Sequence, residues 1–180
     1  MSLRLSIIIP FYNVERYIAE CLDSVFDQDV PLDEYEVICV DDCSPDNSAE
    51  IVKDYAKKFP NLVLVRNLQN RKLGGARNAG IDVAKGRYVW FIDSDDFIEP
   101  NTIQLLVDEI SQHQAQVVYA SYEVVDKVNG SPNRIYRKPK LQLFGQGELA
   151  LFAFQHASIF HVSVCNCLFQ VSFLRTEGVR

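Results

Sequence analysis

Apolar residues follow two alternating patterns over the first 120 residues. Nearly continuous apolar runs indicate buried strands at residues 5–9, 36–40, 62–65, 87–92 and 116–120. Between these runs, apolar residues recur at helical spacing or turn signals bracket a short helix, which predicts helices over residues 14–25, 74–84 and 100–112. A further helix carries its apolar positions at residues 51–59, and its start is signalled by Ser44-Pro45 or Asp46. Strands that alternate with helices form βαβ units. The pattern therefore predicts an α/β fold, with a mostly parallel, twisted, Rossmann-like sheet flanked by helices.

Polar residues stand where three of these strands end. Asn13 follows the first strand, Asp41 and Asp42 follow the second, and an acidic run from Asp93 to Asp96 follows the fourth. In open parallel sheets the ligand crevice lies outside the carboxyl ends of the strands. The sequence thus predicts one polar rim built from three strand ends.

The pattern weakens after residue 120. Residues 122–128 and 134–136 flank Asn129-Gly130, a typical hairpin turn, and residues 146–156 fit an amphipathic helix. Residues 162–173 are apolar and fit either a strand or a helix. We therefore expect a single domain, with residues 1–120 as the ligand-binding α/β core and residues 121–180 as an irregular segment that begins the acceptor side.

Composition and charge narrow the class of protein. The chain has 180 residues, 48% of them hydrophobic, and a net charge of −6. Residues 1–128 carry 12 basic and 22 acidic residues, a balance of −10, whereas residues 129–180 carry 6 and 2, a balance of +4. The acidic part argues against nucleic-acid binding. The basic tail fits a solvated face or a peripheral contact with an anionic membrane surface.

Nothing in the sequence indicates a secretory signal or a membrane span. Five cysteines without a C-x-x-C pair fit reduced structural thiols rather than a zinc site. We therefore expect a cytoplasmic protein, with the inner face of the membrane as a possible site of contact.

The acidic run carries the strongest chemical signal. Asp93, Asp95 and Asp96 fall within four residues, with Ser94 between them, and such crowded carboxylates call for a counter-charge. Oxygen ligands favour Mg²⁺ or Mn²⁺ over zinc. The alternative is a helix-capping cluster ahead of Pro100. A similar choice applies to Asp41 and Asp42, which fit either nucleoside recognition or a helix N-cap.

Two further segments bear on nucleotide binding. Pro10-Phe11-Tyr12-Asn13 stands where a dinucleotide-binding fold would carry its glycine fingerprint, and no G-x-G-x-x-G or G-K-[ST] sequence occurs. A Rossmann dehydrogenase and a P-loop NTPase are therefore disfavoured. Gly74-Gly75 precedes Arg77 at a predicted helix start, which suits an anion or a plain surface helix equally.

Four segments together resemble family 2 glycosyltransferases, over roughly residues 4–100. They are Ser6-Ile7-Ile8-Ile9-Pro10-x-Tyr12-Asn13, Val40-Asp41-Asp42-x-Ser44-x-Asp46, Ala76-Arg77-Asn78-x-Gly80 and Phe91-Ile92-Asp93-Ser94-Asp95-Asp96. The resemblance implies a GT-A fold and a divalent metal at a DXD motif. It also implies a nucleotide-diphosphate sugar as the donor, with a UDP-sugar favoured over other nucleotide sugars. It implies inversion at the anomeric carbon and transfer to a glycan or lipid-linked acceptor in polysaccharide biosynthesis.

The resemblance also implies roles for individual residues. Pro10 and Tyr12 would line the base pocket, next to Asn13, and Asp42 would hold the uracil with Asp41 close by. Arg77 would lie near the base or the diphosphate. Asp93, beside Ser94, would hold the ribose, and Asp95 with Asp96 would hold Mn²⁺ or Mg²⁺. These assignments are carried over from the family's motifs.

The family's general base is an Asp in a Glu-Asp pair downstream of a stretch that residues 164–174 resemble. No Glu-Asp or Asp-Asp pair follows Asp96, and the acidic residues beyond residue 128 are Glu148 and Glu177. We therefore expect the base beyond Arg180, and an N-terminal portion that binds the donor but transfers sugar poorly. The alternatives are a non-catalytic nucleotide-sugar-binding module and a nucleotidyl- or phosphotransferase that uses the Asp cluster.

Overall fold

The computed structural model describes residues 3–112, 115–119, 125–128, 131–134, 142–144, 165 and 167–176. Strands and helices alternate through residue 119, as the hydrophobic pattern predicts. In chain order the elements are β1 (Leu5–Phe11), α1 (Ile18–Phe26), β2 (Tyr35–Asp41), α2 (Ser48–Lys58), β3 (Leu62–Arg66), α3 (Lys72–Val83), β4 (Tyr88–Phe91), α4 (Thr102–Gln112), β5 (Val117–Tyr119), β6 (Val125–Val128), β7 (Ser131–Arg134), β8 (Gln142–Phe144), β9 (Cys167–Gln170) and α5 (Val171–Thr176).

Seven of the described strands form one sheet in the order β3-β2-β1-β4-β9-β5-β8. The pairings β3–β2, β2–β1 and β1–β4 are parallel, whereas β9 is antiparallel to both β4 and β5, and β8 is antiparallel to β5. Five strands therefore run in the same direction, which confirms the mostly parallel α/β sheet. The carboxyl ends of β1, β2 and β4 lie next to one another.

Helices cover both faces of this sheet because successive side chains of a strand point to opposite sides. In β1, Ile7 and Ile9 belong to an apolar cluster with the buried residues of α1, α2 and α4. Ile8, between them, belongs to the cluster formed by α3 and α5. All seven β1 residues are buried, as expected for a strand covered on both faces.

Element boundaries differ from the sequence prediction at several helix starts. Helix α1 begins at Ile18 rather than Val14, since the Val14 amide instead donates to Ser48 Oγ at 3.0 Å. Helix α2 begins at Ser48, after a turn in which Asp46 Oδ1 accepts hydrogen bonds from the Ser48 amide and hydroxyl at 3.1 and 2.6 Å. Helix α3 begins two residues before the predicted start, and α4 two residues after it.

Among the described residues after 120, β8 and β9 continue the main sheet, whereas β6 and β7 form a separate two-stranded sheet. The ambiguous apolar run at residues 162–173 contains β9 and α5, and β9 lies between β4 and β5. The predicted hairpin is present as β6 paired antiparallel with β7, although β7 starts inside the segment expected to form the turn. Asn129 and Gly130 lie outside the described residues, as does the predicted helix at 146–156. The division into a core and an acceptor-side region at residue 120 stays a prediction.

Candidate functional site

A cleft of about 400 Å³ opens at the carboxyl ends of β1, β2 and β4. Six of the ten predicted site residues line it: Pro10, Tyr12, Asp42, Asp93, Ser94 and Asp95. The other lining residues are Phe11, Val14, Asn70, Lys72, Leu73 and Ala76. The remaining four predicted residues, Asn13, Asp41, Arg77 and Asp96, lie outside its lining.

The loop after β1 forms one wall of the cleft. Pro10 is buried, whereas the Tyr12 side chain is half-exposed at the cleft. Asn13 has a φ of 58° and its amide donates to Ser44 Oγ at 3.3 Å. Asparagine tolerates this left-handed conformation better than most residues. Asn13 thus links the β1–α1 loop to the β2–α2 loop without lining the cleft.

A second set of contacts holds the same two loops together. The Glu15 amide donates to Asp46 Oδ2 at 2.9 Å, and the Asn47 amide donates to Glu15 Oε2 at 3.1 Å. Desolvation acts to raise the pKa of Asp46, but hydrogen bonds from Ser48 and from the Glu15 amide outweigh it and lower that pKa. The Asp46 carboxylate is therefore the stable form, and its hydrogen bond from the Glu15 amide links the β1–α1 loop to the β2–α2 loop.

The two acidic residues at the end of β2 have different surroundings. Asp41 is fully buried, and its carboxylate accepts hydrogen bonds from the Ser44 amide at 2.8 Å and from Arg66 Nε at 2.9 Å. Asp41 therefore holds the turn after β2. It does so from outside the cleft.

Asp42 lies in the cleft wall with 3% of its surface exposed. Its Oδ1 atom accepts hydrogen bonds from Asn67 Nδ2 and from the Arg71 amide, both at 2.8 Å. The described residues provide no hydrogen bond to Oδ2. Asp42 therefore has a fixed orientation and a second oxygen available to a ligand.

Arg77 contacts the cleft wall from behind. Its guanidinium donates from Nη2 to Asp93 Oδ1 at 2.9 Å and toward Cys165 Sγ at 3.5 Å, and it lies 5.8 Å from the centre of the Phe91 ring. The Arg77 side chain is 19% exposed. Arg77 thus pairs with the carboxylate predicted to hold the ribose. Its expected place near the base or diphosphate stays a prediction.

The acidic run after β4 forms a turn. The Asp96 amide donates to the Asp93 carbonyl at 2.9 Å, and Asp93, Ser94 and Asp95 line the cleft. Partial desolvation raises the pKa of Asp96, and the nearby carboxylates of Asp95 and Asp93 raise it further. This mutual repulsion is the electrostatic state that a bound cation would relieve.

The acidic turn also lies against α1. Cys21 donates from Sγ to the Asp93 carbonyl at 3.8 Å. Burial raises the pKa of Cys21 to about 12, and the carboxylates of Asp96, Asp95 and Asp93 add to the increase. The Cys21 thiol is therefore neutral at physiological pH and serves as packing beneath the turn.

The described residues do not complete a metal site by themselves. Nowhere in them do three or more His, Cys, Asp or Glu side chains form a group that could hold a metal ion. Of the two predicted metal ligands, Asp95 lines the cleft and Asp96 lies outside its lining.

Sequence reasoning missed the contribution of the loop after β3. Asn70, Lys72 and Leu73 line the cleft beside Asp42. The strand-end rule that identified the other loops applies to β3 as well, because β3 is parallel to β2. A polar Asn-Arg-Lys sequence just past that strand was the available signal.

None of the described helices has the length and hydropathy that crossing a membrane requires.

The sequence pattern of the family described as "Glycosyl transferase family 2" matches residues 6–175. A poly(ribitol-phosphate) beta-glucosyltransferase of Bacillus spizizenii is 36% identical over 137 residues, covering 76% of this chain and 22% of the relative. The uncharacterized glycosyltransferase EpsJ of Bacillus subtilis is 39% identical over 137 residues, covering 76% of this chain and 38% of the relative. The chain belongs to glycosyl transferase family 2.

Solved structures agree on the fold. Residues 1–349 of Staphylococcus aureus TarS in complex with UDP-GlcNAc match with a TM-score of 0.76 and 29% identity, covering 98% of this chain and 48% of that one. The mannosyltransferase PcManGT of Pyrobaculum calidifontis shares the fold, with a TM-score of 0.69 and 23% identity, covering 99% of this chain and 47% of that one. The fold is of the GT-A type, as predicted. The chain spans less than half the length of each of these proteins.

Proposed function

We propose that the cleft binds a nucleotide-diphosphate sugar, with UDP as the nucleotide, and that the whole protein transfers the sugar to a glycan or lipid-linked acceptor during polysaccharide synthesis. The observation that carries this proposal is the meeting of Asp42 and Asp93 in one cleft at the carboxyl ends of parallel strands. Two related proteins support it, since one is named a poly(ribitol-phosphate) beta-glucosyltransferase and TarS was solved with UDP-GlcNAc.

The base end of the donor belongs beside Asp42. Because Asn67 and the Arg71 amide occupy Oδ1, the Oδ2 atom is left to accept the imide N–H of uracil. Pro10 and the half-exposed Tyr12 provide apolar surface for the ring. Asn13 and Asp41 support this end through the loops rather than by contact.

The ribose belongs beside Asp93 and Ser94. The Asp93 side chain accepts a hydrogen bond from a ribose hydroxyl while Arg77 donates to its Oδ1 atom. In this assignment Arg77 positions Asp93 and does not bind the phosphates.

The acidic turn offers the kind of ligand atoms that a divalent cation prefers. Asp95 provides carboxylate oxygens in the cleft, with Asp96 one residue further, and such oxygens suit Mg²⁺ or Mn²⁺. Since the described residues lack a complete ligand set, the remaining ligands would be phosphate oxygens of the donor. When bound, the cation neutralises charge on the departing diphosphate.

Inverting transfer requires that the acceptor hydroxyl attack opposite the diphosphate and lose its proton to a general base. The expectation that this base lies beyond Arg180, and that these 180 residues transfer sugar poorly by themselves, stays part of the proposal. A cytoplasmic location at the inner face of the membrane, with a peripheral contact through the basic tail, is also part of the proposal.

Isothermal titration of the chain with UDP, GDP and CMP, each with Mn²⁺, Mg²⁺ or EDTA, tests the proposal. We expect UDP to bind at least about tenfold more tightly than GDP or CMP, and more tightly with metal than in EDTA; tenfold corresponds to about 1.4 kcal/mol. Absence of nucleotide binding would contradict the proposal. Rapid acceptor-dependent consumption of UDP-glucose or UDP-GlcNAc would contradict the expected lack of a base, whereas binding by the whole protein without any transfer would favour a non-catalytic module.

A further inference from the structure

Lys72 has an unusual backbone conformation at the edge of the cleft. It is the first residue of α3, has a φ of 63°, and lines the cleft with its side chain exposed. Its amide donates to Asn70 Oδ1 at 3.1 Å, and the preceding amide, of Arg71, donates to Asp42. A left-handed conformation is unfavourable for lysine relative to glycine.

Lys72 differs in charge from the other charged residues that line the cleft. Three carboxylates line it, those of Asp42, Asp93 and Asp95, and Lys72 is the one cationic side chain among the lining residues. Asp93 is paired with Arg77, and Asp42 with two N–H donors. The described residues form no ion pair with Lys72. Its ammonium is therefore available to an anion that enters the cleft.

We propose that Lys72 binds a phosphate oxygen of the donor and so makes the cleft prefer a nucleotide to a nucleoside even without a divalent cation. This inference rests on the proposed function, because it takes the occupant of the cleft to be a nucleoside diphosphate. The ammonium offsets the repulsion between the diphosphate and the cleft carboxylates. Glycine at position 72 would remove the strain of the left-handed backbone conformation. It would, however, leave the repulsion between the diphosphate and the cleft carboxylates without a compensating positive charge.

Titrations with uridine and UDP, each in Mg²⁺ and in EDTA, test the role of Lys72. Because the variant loses one charge-assisted hydrogen bond at an exposed site, we expect Lys72→Met to weaken UDP binding about fivefold to tenfold in both conditions. Uridine binding should change by less than about twofold, since the removed group does not contact the nucleoside. Lys72→Arg should restore most of the UDP affinity because it keeps the charge.

Two control variants separate charge and backbone effects from a contact with phosphate. Lys53→Met removes a lysine from the exposed surface of α2, where it pairs with Glu50, and should leave UDP binding unchanged. Asn101→Gly changes another left-handed residue, with a φ of 63°, outside the cleft lining. Lys72→Gly should raise the melting temperature and weaken UDP binding, whereas Asn101→Gly should leave UDP binding unchanged.

The outcomes distinguish this inference from the proposed function. UDP binding that is equal in the unmodified protein and Lys72→Met would overturn the role of Lys72 alone. Equal losses for uridine and UDP would overturn it too, because they would indicate contact with the nucleoside. No UDP binding by the unmodified protein would overturn the proposed function and, with it, this inference.

Discussion

Arg77 on α3 and Asp93 at the end of β4 form an ion pair, with 2.9 Å between Nη2 and Oδ1. The pair joins a helix on one face of the sheet to the wall of the cleft. Arg77 also lies against Phe91 and Cys165, so its own position is fixed from two further sides. A carboxylate held in this way keeps its direction.

Replacing Arg77 should therefore affect both stability and UDP binding. Arg77→Ala leaves Asp93 without its described partner, and we expect a loss of about 1–2 kcal/mol in the free energy of unfolding. UDP affinity should fall several-fold, and Arg77→Lys should recover only part of it because a lysine cannot reproduce the planar guanidinium. Urea denaturation and titration measure the two effects. An unchanged UDP affinity in Arg77→Ala would show that Asp93 does not need this partner.

Asp42 should govern recognition of the base. Asp42→Ala removes the acceptor assigned to the uracil imide, so uridine and UDP should both bind more weakly, by about fivefold or more. Asp41→Asn is a useful comparison, since Asp41 lies outside the cleft and holds the turn through Ser44 and Arg66. We expect Asp41→Asn to lower stability more than it lowers base selectivity. A loss confined to UDP in Asp42→Ala would place the carboxylate elsewhere along the donor.

Asp95 should account for the dependence on metal. In Asp95→Ala we expect UDP affinity to become the same in Mn²⁺ and in EDTA, because the variant loses the cleft carboxylate assigned to the cation. Asp29→Ala, which removes an exposed carboxylate on the segment between α1 and β2, should keep the difference between Mn²⁺ and EDTA. Titration of both variants in parallel makes the comparison, and metal-enhanced UDP binding that persists in Asp95→Ala would assign the cation to other ligands.

Strand and helix positions in the first 119 residues followed from hydrophobic periodicity, because each element buries a face that its own sequence defines. The cleft residues Asp42, Asp93 and Asp95 followed from one rule about strand ends. The insertion of β9 between β4 and β5 did not, since Leu168 pairs with Trp90 and Val118 across long stretches of chain. Tertiary packing determines such strand pairings. A short apolar run has no hydrophobic periodicity from which they could be predicted.

Side-chain direction was also beyond the sequence. The motif that contains Arg77 resembles one in the family, but it did not indicate that the guanidinium pairs with Asp93. Which way a helical side chain points depends on how the helix is rotated against the sheet, and that is fixed by contacts such as Gly80 against Ile8. The left-handed conformation of Lys72 could not be predicted from the residue type either, because lysine does not favour a positive φ.

Thiol reactivity should follow burial. Cys43 is exposed and should react first with a maleimide at pH 7.5, Cys165 should follow, and Cys21, Cys39 and Cys167 should react only on unfolding. Mass spectrometry of timed samples measures the order, and Cys43→Ser should remove the first modification. Native labelling of Cys39 or Cys167 as fast as Cys43 would contradict the packing described here.

Stability should accordingly fall in alkali. Burial raises the pKa of Cys167 from its ordinary value of 9.0 to about 12, with Cys165 contributing, and burial raises that of Cys39 as well. The unfolded chain therefore loses these protons first, so the stabilisation is complete below pH 9 and declines as the pH rises toward 12. Urea denaturation at pH 8 and pH 10.5 measures the decline, and Cys167→Ala should reduce it.

Gly74 and Gly80 provide a matched pair of substitutions on α3. A Cβ atom at Gly80 would lie 2.4 Å from Cγ2 of Ile8, which is fully buried in β1, whereas a Cβ at Gly74 would meet no heavy atom within 4 Å. Alanine favours a helix over glycine by up to about 1 kcal/mol. Overpacking a core costs about 1–3 kcal/mol. Gly74→Ala should therefore raise the free energy of unfolding by about 0.5–1 kcal/mol, and Gly80→Ala should lower it by about 1–2 kcal/mol.

The opposite signs make the pair informative, because helix propensity alone would stabilise both variants equally. Urea denaturation of the two proteins side by side gives the comparison, and Ile8→Val in the Gly80→Ala background should recover part of the loss by making room for the added methyl group. Stabilisation by Gly80→Ala would mean that α3 does not approach β1 as closely as described. In that case the position of Arg77, one helical turn before Gly80, would also have to be revised.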